Sequence, residues 1–329
     1  MKIKLLFLFP LLFLNCSGQT DFSGEVGAEP SPNPLEVLGL PLDPAAQSYQ
    51  EICVRGEEKK GPWNNDLLMT WLDENGSPKQ DDEIFVEVGG VATLVQDADN
   101  RLIAAFQWFP CDDSTAFDQI AVSISSDNGA SWGDPKVISI EDYPEDFLRP
   151  YDPTLTLLSD GQIRLYFTSF SMAEKGQLSN IYSAISDDGL NFVFEEGARF
   201  DLSDAAAYDS AVGYWNGLWH LITPKNEGGP TGEAYHATST DGLEFETLAP
   251  IDLSEDINWT GNFYAKNDAI FFYGTPGRLS DGSVNNWFTF STDGETWSAP
   301  ESLDINFGDP ALVCIENDSC LVIGVDVQP

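Results

Sequence analysis

The 329-residue sequence is poor in basic residues, histidine, cysteine and long apolar runs, and each shortage removes a class of function. Only 15 Lys and Arg stand against 54 Asp and Glu, for a formal net charge of -39. Nucleic acid and anionic membrane surfaces would be repelled, so neither is expected as a partner. The acidic excess reads as a solvated shell that keeps the protein soluble, with a calcium-attracting surface as the alternative. The only histidines are His220 and His236, and no C-x-x-C pair occurs, so a zinc site is not expected. Beyond residue 14 no segment keeps a long 3.6-residue apolar period, so helices should be few.

The one sustained apolar run, Leu5 to Leu14, follows Lys2 and Lys4 and is interrupted only by Pro10. It is too short to span a bilayer and reads as a secretory signal. Its end, Phe13-Leu14-Asn15-Cys16, resembles the lipobox of bacterial lipoproteins, in which the cysteine becomes the lipidated first residue. Asn15 departs from the usual small residue, and an ordinary cleaved signal is the alternative. The resemblance implies a signal over residues 1–16, lipidation at Cys16 and an extracytoplasmic protein at the outer membrane or cell surface, touching the membrane through its anchor only. Residues 17–50, rich in Pro, Gly, Ser and acidic residues, read as a disordered tether. Residues 51–329 are left as one large domain, expected to be a monomer.

Four cysteines follow Cys16, and in an oxidising compartment an even number points to disulfides. Cys314 and Cys320 flank the turn signal Asn317-Asp318 and can face each other across a hairpin. That leaves Cys53 with Cys111, although spacing alone does not fix the connectivity.

A repeat organises the rest. Ser125-Ser-Asp-Asn-Gly-Ala-Ser-Trp132 recurs in shorter form as Ser186-Asp-Asp-Gly-Leu-Asn-Phe192, Ser239-Thr-Asp-Gly-Leu-Glu-Phe245 and Ser291-Thr-Asp-Gly-Glu-Thr-Trp297. The aspartates Asp127, Asp188, Asp241 and Asp293 are 61, 53 and 52 residues apart, and Leu72-Asp-Glu-Asn-Gly76 looks like a degenerate fifth copy. Before each full copy lie two apolar runs joined by a hairpin signal such as Asp160-Gly161 or Asn216-Gly217, then a third strand leading into the motif. A weaker fourth segment follows, such as Pro135 to Ile140. Four short antiparallel strands per unit of about 50 residues describe a propeller blade. Ala311 to Val327 supplies two strands, Asp66 to Leu72 a third and Pro78 to Val86 a fourth. The expected fold is therefore all-β, a five-bladed β-propeller whose two ends share the last blade.

The repeated motif resembles the Asp-box of sialidases and related propellers, and its shorter copies are similar to those of five-bladed arabinanase- and fructosidase-type glycosidases. As a turn it explains itself: Asp accepts backbone N–H groups, Gly takes positive φ and the aromatic packs between blades. Four equivalent copies cannot all line one site. They should sit at the far end of the strands from any chemistry.

Ligands of propellers gather where the inner strands start. The starts here include Tyr151-Asp-Pro153, Tyr208-Asp-Ser210 and Gly308-Asp-Pro310, so Asp152, Asp209 and Asp309 should converge near the axis. Crowded carboxylates can split into acid and base, as glycoside hydrolysis requires, and the structural alternative is that Asp simply caps the turn. Arg149-Pro-Tyr-Asp-Pro-Thr154 is similar to the blade openings of arabinanase-type enzymes. That resemblance implies Asp152 as base and Asp209 as pKa modulator, with a glutamate acid in the next blade. That blade begins Trp259-Thr-Gly-Asn262, without glutamate, and the first has Gly90-Val91; Glu87 is the remaining substitute. A sialidase would need three arginines, and only Arg149 and Arg278 are near.

Tyr151, Tyr208, Trp259 and Phe307 are candidates to stack on a sugar. Trp215 and Trp219 read as packing, and His220 and His236 as core residues. No cofactor is required, and a calcium ion between the channel aspartates is one further reading. The expected function is an extracytoplasmic glycosidase-like propeller binding, and hydrolysing, a glycan or polysaccharide. The alternative is a non-catalytic surface module for a protein or polymer.

Overall fold

The computed structural model describes residues 64–73, 76–173, 177–226, 230–253, 257–266, 268–279, 284–315 and 319–327. The expected signal, Cys16, the tether and Cys53 lie outside the described residues. Among the described residues there is no α-helix, and the strands form five small sheets arranged as a five-bladed β-propeller.

The chain begins with β1 (Leu67–Leu72) and β2 (Glu83–Val86), the outer half of the closing blade. Blade 1 follows as β3 (Gly89–Gln96), β4 (Leu102–Trp108), β5 (Gln119–Ser125) and β6 (Lys136–Val137). Next comes β7 (Ser139–Glu141), then blade 2 as β8 (Tyr151–Leu157), β9 (Ile163–Ser169), β10 (Asn180–Ser186) and β11 (Asn191–Phe200). Blade 3 is β12 (Ala211–Trp215), β13 (Leu218–Asn226), β14 (Pro230–Ser239), β15 (Glu246–Thr247) and β16 (Ile251–Asp252). Blade 4 is β17 (Gly261–Lys266), β18 (Ala269–Arg278), β19 (Val284–Ser291) and β20 (Glu301–Leu303). The chain ends with β21 (Phe307–Ile315) and β22 (Ser319–Asp326), and β1 pairs with β22 from Leu67 opposite Val325 to Leu72 opposite Cys320. That ladder closes the ring and removes its open edge.

The second strands explain why the ring holds together. Side chains alternate across a strand, so β4 sends Leu102, Ala104 and Phe106 toward the closing blade and Ile103 and Ala105 toward blade 2. Both faces are buried, which is why β4 and β9 read as nearly continuous apolar runs. Each of the five seams has its own apolar cluster. The first strands β3, β8, β12, β17 and β21 touch in cyclic order around the axis.

One expected element differs. Residues Pro135 to Ile140 are not a single fourth strand: Val137 pairs with Ala121 in blade 1, and Ser139 pairs in parallel with Asn191 in blade 2. The exposed segment is too short to hold one partner, and the chain changes blades at Ile138. Cys314 and Cys320 stand opposite in register and are disulfide-bonded, as expected across their hairpin. Cys111 is disulfide-bonded too.

The four recurring turns share one hydrogen-bond pattern. In the Ser291 copy, Ser291 Oγ donates to Asp293 Oδ1 (3.0 Å), while Gly294 N–H donates to Ser291 Oγ (2.8 Å) and Thr296 N–H to Asp293 Oδ1 (2.7 Å). These donors hold the Asp127, Asp188 and Asp293 carboxyls down at about 2. Each turn glycine has positive φ and seats on the second strand of the preceding blade: Gly189 on Ile103, Gly242 on Tyr166 and Arg164, Gly294 on His220. His220 and His236 are buried in blade 3, with Nδ1 and Nε2 3.2 Å apart, and burial presses both down to about 4. They are core residues, as Trp215 and Trp219 are.

Gly242 has φ +74°, and a Cβ there would lie 2.7 Å from the buried Tyr166 Oη. Gly242→Ala is expected to lower the urea-unfolding free energy by about 1–3 kcal/mol. An unchanged unfolding curve would refute the turn's role as the seam contact between blades 2 and 3.

Candidate functional site

At the start of every inner strand one residue turns left-handed: Val91 (φ 40°), Asp152 (50°), Asp209 (50°), Gly261 (146°) and Asp309 (45°). In β3, β8 and β21 a bulge accompanies it, between Gly90 and Thr93, Tyr151 and Thr154, and Gly308 and Ala311. Aspartate tolerates this conformation better than most residues, so the backbone accounts for part of the pattern. It does not account for a carboxylate three times, since Gly261 and even β-branched Val91 occupy the same place.

The three carboxyls come together. Each raises or is raised by another's charge, and burial pushes all of them above the ordinary carboxylate value. Asp152 is buried and pushed up to about 7, first by burial and then by the Asp309 charge. Asp209 is raised well above the ordinary value by burial, Asp309 and Asp152 in that order. Asp309 is raised by burial, against the Thr260 and Thr275 hydroxyls that favour its ionised form. Asp209 and Asp309 are half-buried, so the cluster is open to solvent on one side.

Below the carboxyls the axis is crossed by side chains. Thr93 Oγ1 accepts the Leu155 N–H (3.0 Å) and donates to Asn262 Oδ1 (3.4 Å), while Asn262 Nδ2 donates to the Ala92 carbonyl (3.1 Å). Blades 1, 2 and 4 are thereby tied together, and a ligand approaches the aspartates from the mouth. The acid-less start of blade 4 has a steric cause, because a Cβ at Gly261 would stand 1.9 Å from the Tyr273 carbonyl oxygen.

The other expected site residues divide. Tyr208 is half-buried beside Asp209. Tyr151 is buried. Trp259 is fully buried, its ring 5.2 Å from Trp287 and its Nε1 donating to the Gly232 carbonyl (3.0 Å), and Phe307 packs in the seam of blade 4 with the closing blade. Neither Trp259 nor Phe307 offers a ring face to a sugar, which corrects their assignment: both rings are buried in the seams on either side of blade 4. Arg149 is engaged, pairing with the Asp118 carboxylate and donating Nε–H to the Asp118 carbonyl (2.8 Å), while Gln107 holds the same carboxylate. Burial brings its guanidinium down to about 10. Arg278 is exposed at the end of β18.

Glu87 is exposed in the wall of a separate cavity of ≈ 710 Å³ lined also by Phe85, Trp108 and Asp112, and it does not perturb the aspartates. Among the described residues no three Asp, Glu, His or Cys side chains are arranged to hold a metal ion.

Sequence reasoning missed the threonines that dress the cluster. Thr168 Oγ1 donates to Asp152 Oδ2 (3.2 Å) and accepts the Asp209 N–H (3.0 Å); Thr275 Oγ1 donates to Asp309 Oδ1 (3.1 Å) and accepts the Asp309 N–H (2.8 Å). Their signal was a threonine at or just after the end of the apolar run in three second strands, at Thr168, Thr223 and Thr275.

No protein-family model matches the sequence, and no curated protein matches it. Solved structures do share its fold. A Bombyx mori GH32 β-fructofuranosidase matches with TM-score 0.55 and 14% identity over 87% of this chain, which spans 63% of that enzyme. An α-L-arabinofuranosidase from Lactobacillus brevis matches with TM-score 0.50 and 14% identity, covering 73% of this chain and 86% of the other. An N-acetylgalactosamine deacetylase from F. plautii matches with TM-score 0.50 and 12% identity, covering 79% and 94%. At such identities the likeness establishes the propeller fold and leaves function to the site.

Asp152 is pushed up to about 7 in the folded protein from an ordinary carboxylate value of 3.8, so the stability it lends is full below about 4 and lost as pH rises through 7. Asp152→Asn, which also suits a left-handed turn, is expected to be more stable than wild type at pH 8 by on the order of 4 kcal/mol and no different at pH 4. Thermal unfolding at the two pH values measures this. Equal loss of stability at both would mean that the carboxylate is structural.

Proposed function

We propose that the protein is an extracytoplasmic, lipid-anchored propeller that binds a glycan at the channel mouth and hydrolyses it with the aspartate cluster. The observation that carries the reading is the convergence of Asp152, Asp209 and Asp309, with their ionisations pushed upward by burial and mutual charge. Burying like charges costs stability, and at a solvent-open mouth that cost is what an acid–base centre requires. Asp152, held in its ionised form by the Thr168 hydroxyl, is the base that takes a proton from water. Tyr208 is the aromatic at the mouth that packs against a sugar.

A specific observation supports the second reading, a non-catalytic module that binds a protein or polymer. Blade 4 has no room for a carboxylate at Gly261, and Trp259 and Phe307 are withdrawn into the seams. The fold alone does not choose between the two.

Turnover by the full chain against aryl glycosides and polysaccharides decides. Hydrolysis of at least one substrate is expected, with Asp152→Asn lowering kcat/KM by about 100-fold or more and Asp209→Asn doing so on substrates with poor leaving groups. Turnover unaffected by both substitutions would remove the cluster from the mechanism. Binding without turnover would establish the module instead.

A further inference from the structure

The three mouth carboxyls are not served alike. A hydroxyl has one hydrogen to give, and the threonines at the mouth spend theirs on two of the three acids. Thr168 gives its hydrogen to Asp152 and can only accept from the Asp209 N–H, so its geometry faces Asp209 with a lone pair. Thr275 gives its hydrogen to Asp309, and Thr260 donates to Thr275 (2.6 Å), fixing that direction. Thr223, the equivalent residue of blade 3, is turned to the Tyr208 carbonyl and takes the Tyr208 N–H (3.2 Å). Neither hydroxyl nor cation is found on the Asp209 carboxyl among the described residues. The titratable groups that face it from neighbouring blades are Asp152 on β8 and Asp309 on β21, both acids.

A half-buried carboxyl that receives no donor hydrogen and is flanked by two carboxyls is more stable neutral, because the neutral form supplies its own donor hydrogen and avoids the repulsion. We propose that Asp209 holds the proton of this centre and presents it as the donor to a bound ligand. Asp309, which receives the Thr275 hydrogen, takes the tuning role that the family resemblance had implied for Asp209. Asp152 is left as base.

In hydrolysis, which rests on the function proposed above, the glycosidic C–O bond breaks with its electron pair going to oxygen, which takes the Asp209 proton. Water supplies the hydroxyl at the anomeric carbon, and its other proton passes to Asp152. Exchange with solvent returns Asp152 to carboxylate and Asp209 to acid.

The place of the proton is testable without a substrate. At pH 8, above the value of about 7 for Asp152, the infrared spectrum of the full chain should show the carbonyl stretch of a protonated carboxyl. That band should vanish in Asp209→Asn and persist in Asp152→Asn. In protein carrying carbon-13 at aspartate carboxyls, Asp209→Glu keeps an acid at the position and should return the band to its unlabelled frequency. A band absent from wild type, retained in Asp209→Asn, or still isotope-shifted in Asp209→Glu overturns the proposal. A protein that shows the expected band yet hydrolyses nothing fails only as a glycosidase. With turnover, Asp209→Asn should lose about 100-fold or more on glycosides of poor leaving groups and under about 10-fold on activated aryl glycosides. Equal losses on both would also overturn the proposal.

Discussion

Everything at the mouth depends on the ladder between β1 and β22. Five blades surround an axis only if the ends of the chain meet, and they meet through Leu67–Leu72 paired along Cys320–Val325. Without that pairing the closing blade would be β21 and β22 alone, and the ring that brings Asp309 to the two acids of blades 2 and 3 would stay open. The ring is then packed seam by seam, with alternate faces of each second strand serving two blades. Conformational freedom at the axis is removed by the Thr93–Asn262 crossing.

Against that rigid frame the carboxyls are in tension. The frame forces them into proximity and away from water, which raises their ionisation; the threonines relieve two of them and not the third. The opposite arrangement appears at the other end of the strands, where each turn aspartate is surrounded by N–H and O–H donors and held low. One residue type thus does two jobs, set by burial, neighbouring charge and donors. The aspartates that recur most regularly are scaffold, and the less regular ones carry the electrostatic strain.

Much of this was legible in the sequence because its causes are local. The Asp, Gly and aromatic of each turn are demanded by hydrogen bonds within a few residues, so they count the blades. Continuous apolar runs mark strands buried on both faces, and Asp at an inner-strand start reflects the left-handed turn. What was hidden depends on neighbouring blades. Trp259 and Phe307 pack into the seams on either side of blade 4 although their spacing suited the mouth. The closed space at Gly261 is set by the Tyr273 carbonyl of the adjacent strand. The donors Thr168 and Thr275 belong to second strands, and Thr168 reaches Asp209 across a seam. The partner change at Ile138 follows from exposure that a weak six-residue pattern does not reveal.

The central claim is that three acids from three blades form one coupled centre. Carbon-13 NMR titration of the aspartate carboxyls in the full chain tests it most directly. The account predicts that Asp152, Asp209 and Asp309, assigned through their Asn variants, titrate well above the ordinary value, with Asp152 near 7, and that each variant shifts the titration of the other two. If all three titrate independently at about 4, as free aspartates do, the mouth holds no such centre and the account is wrong.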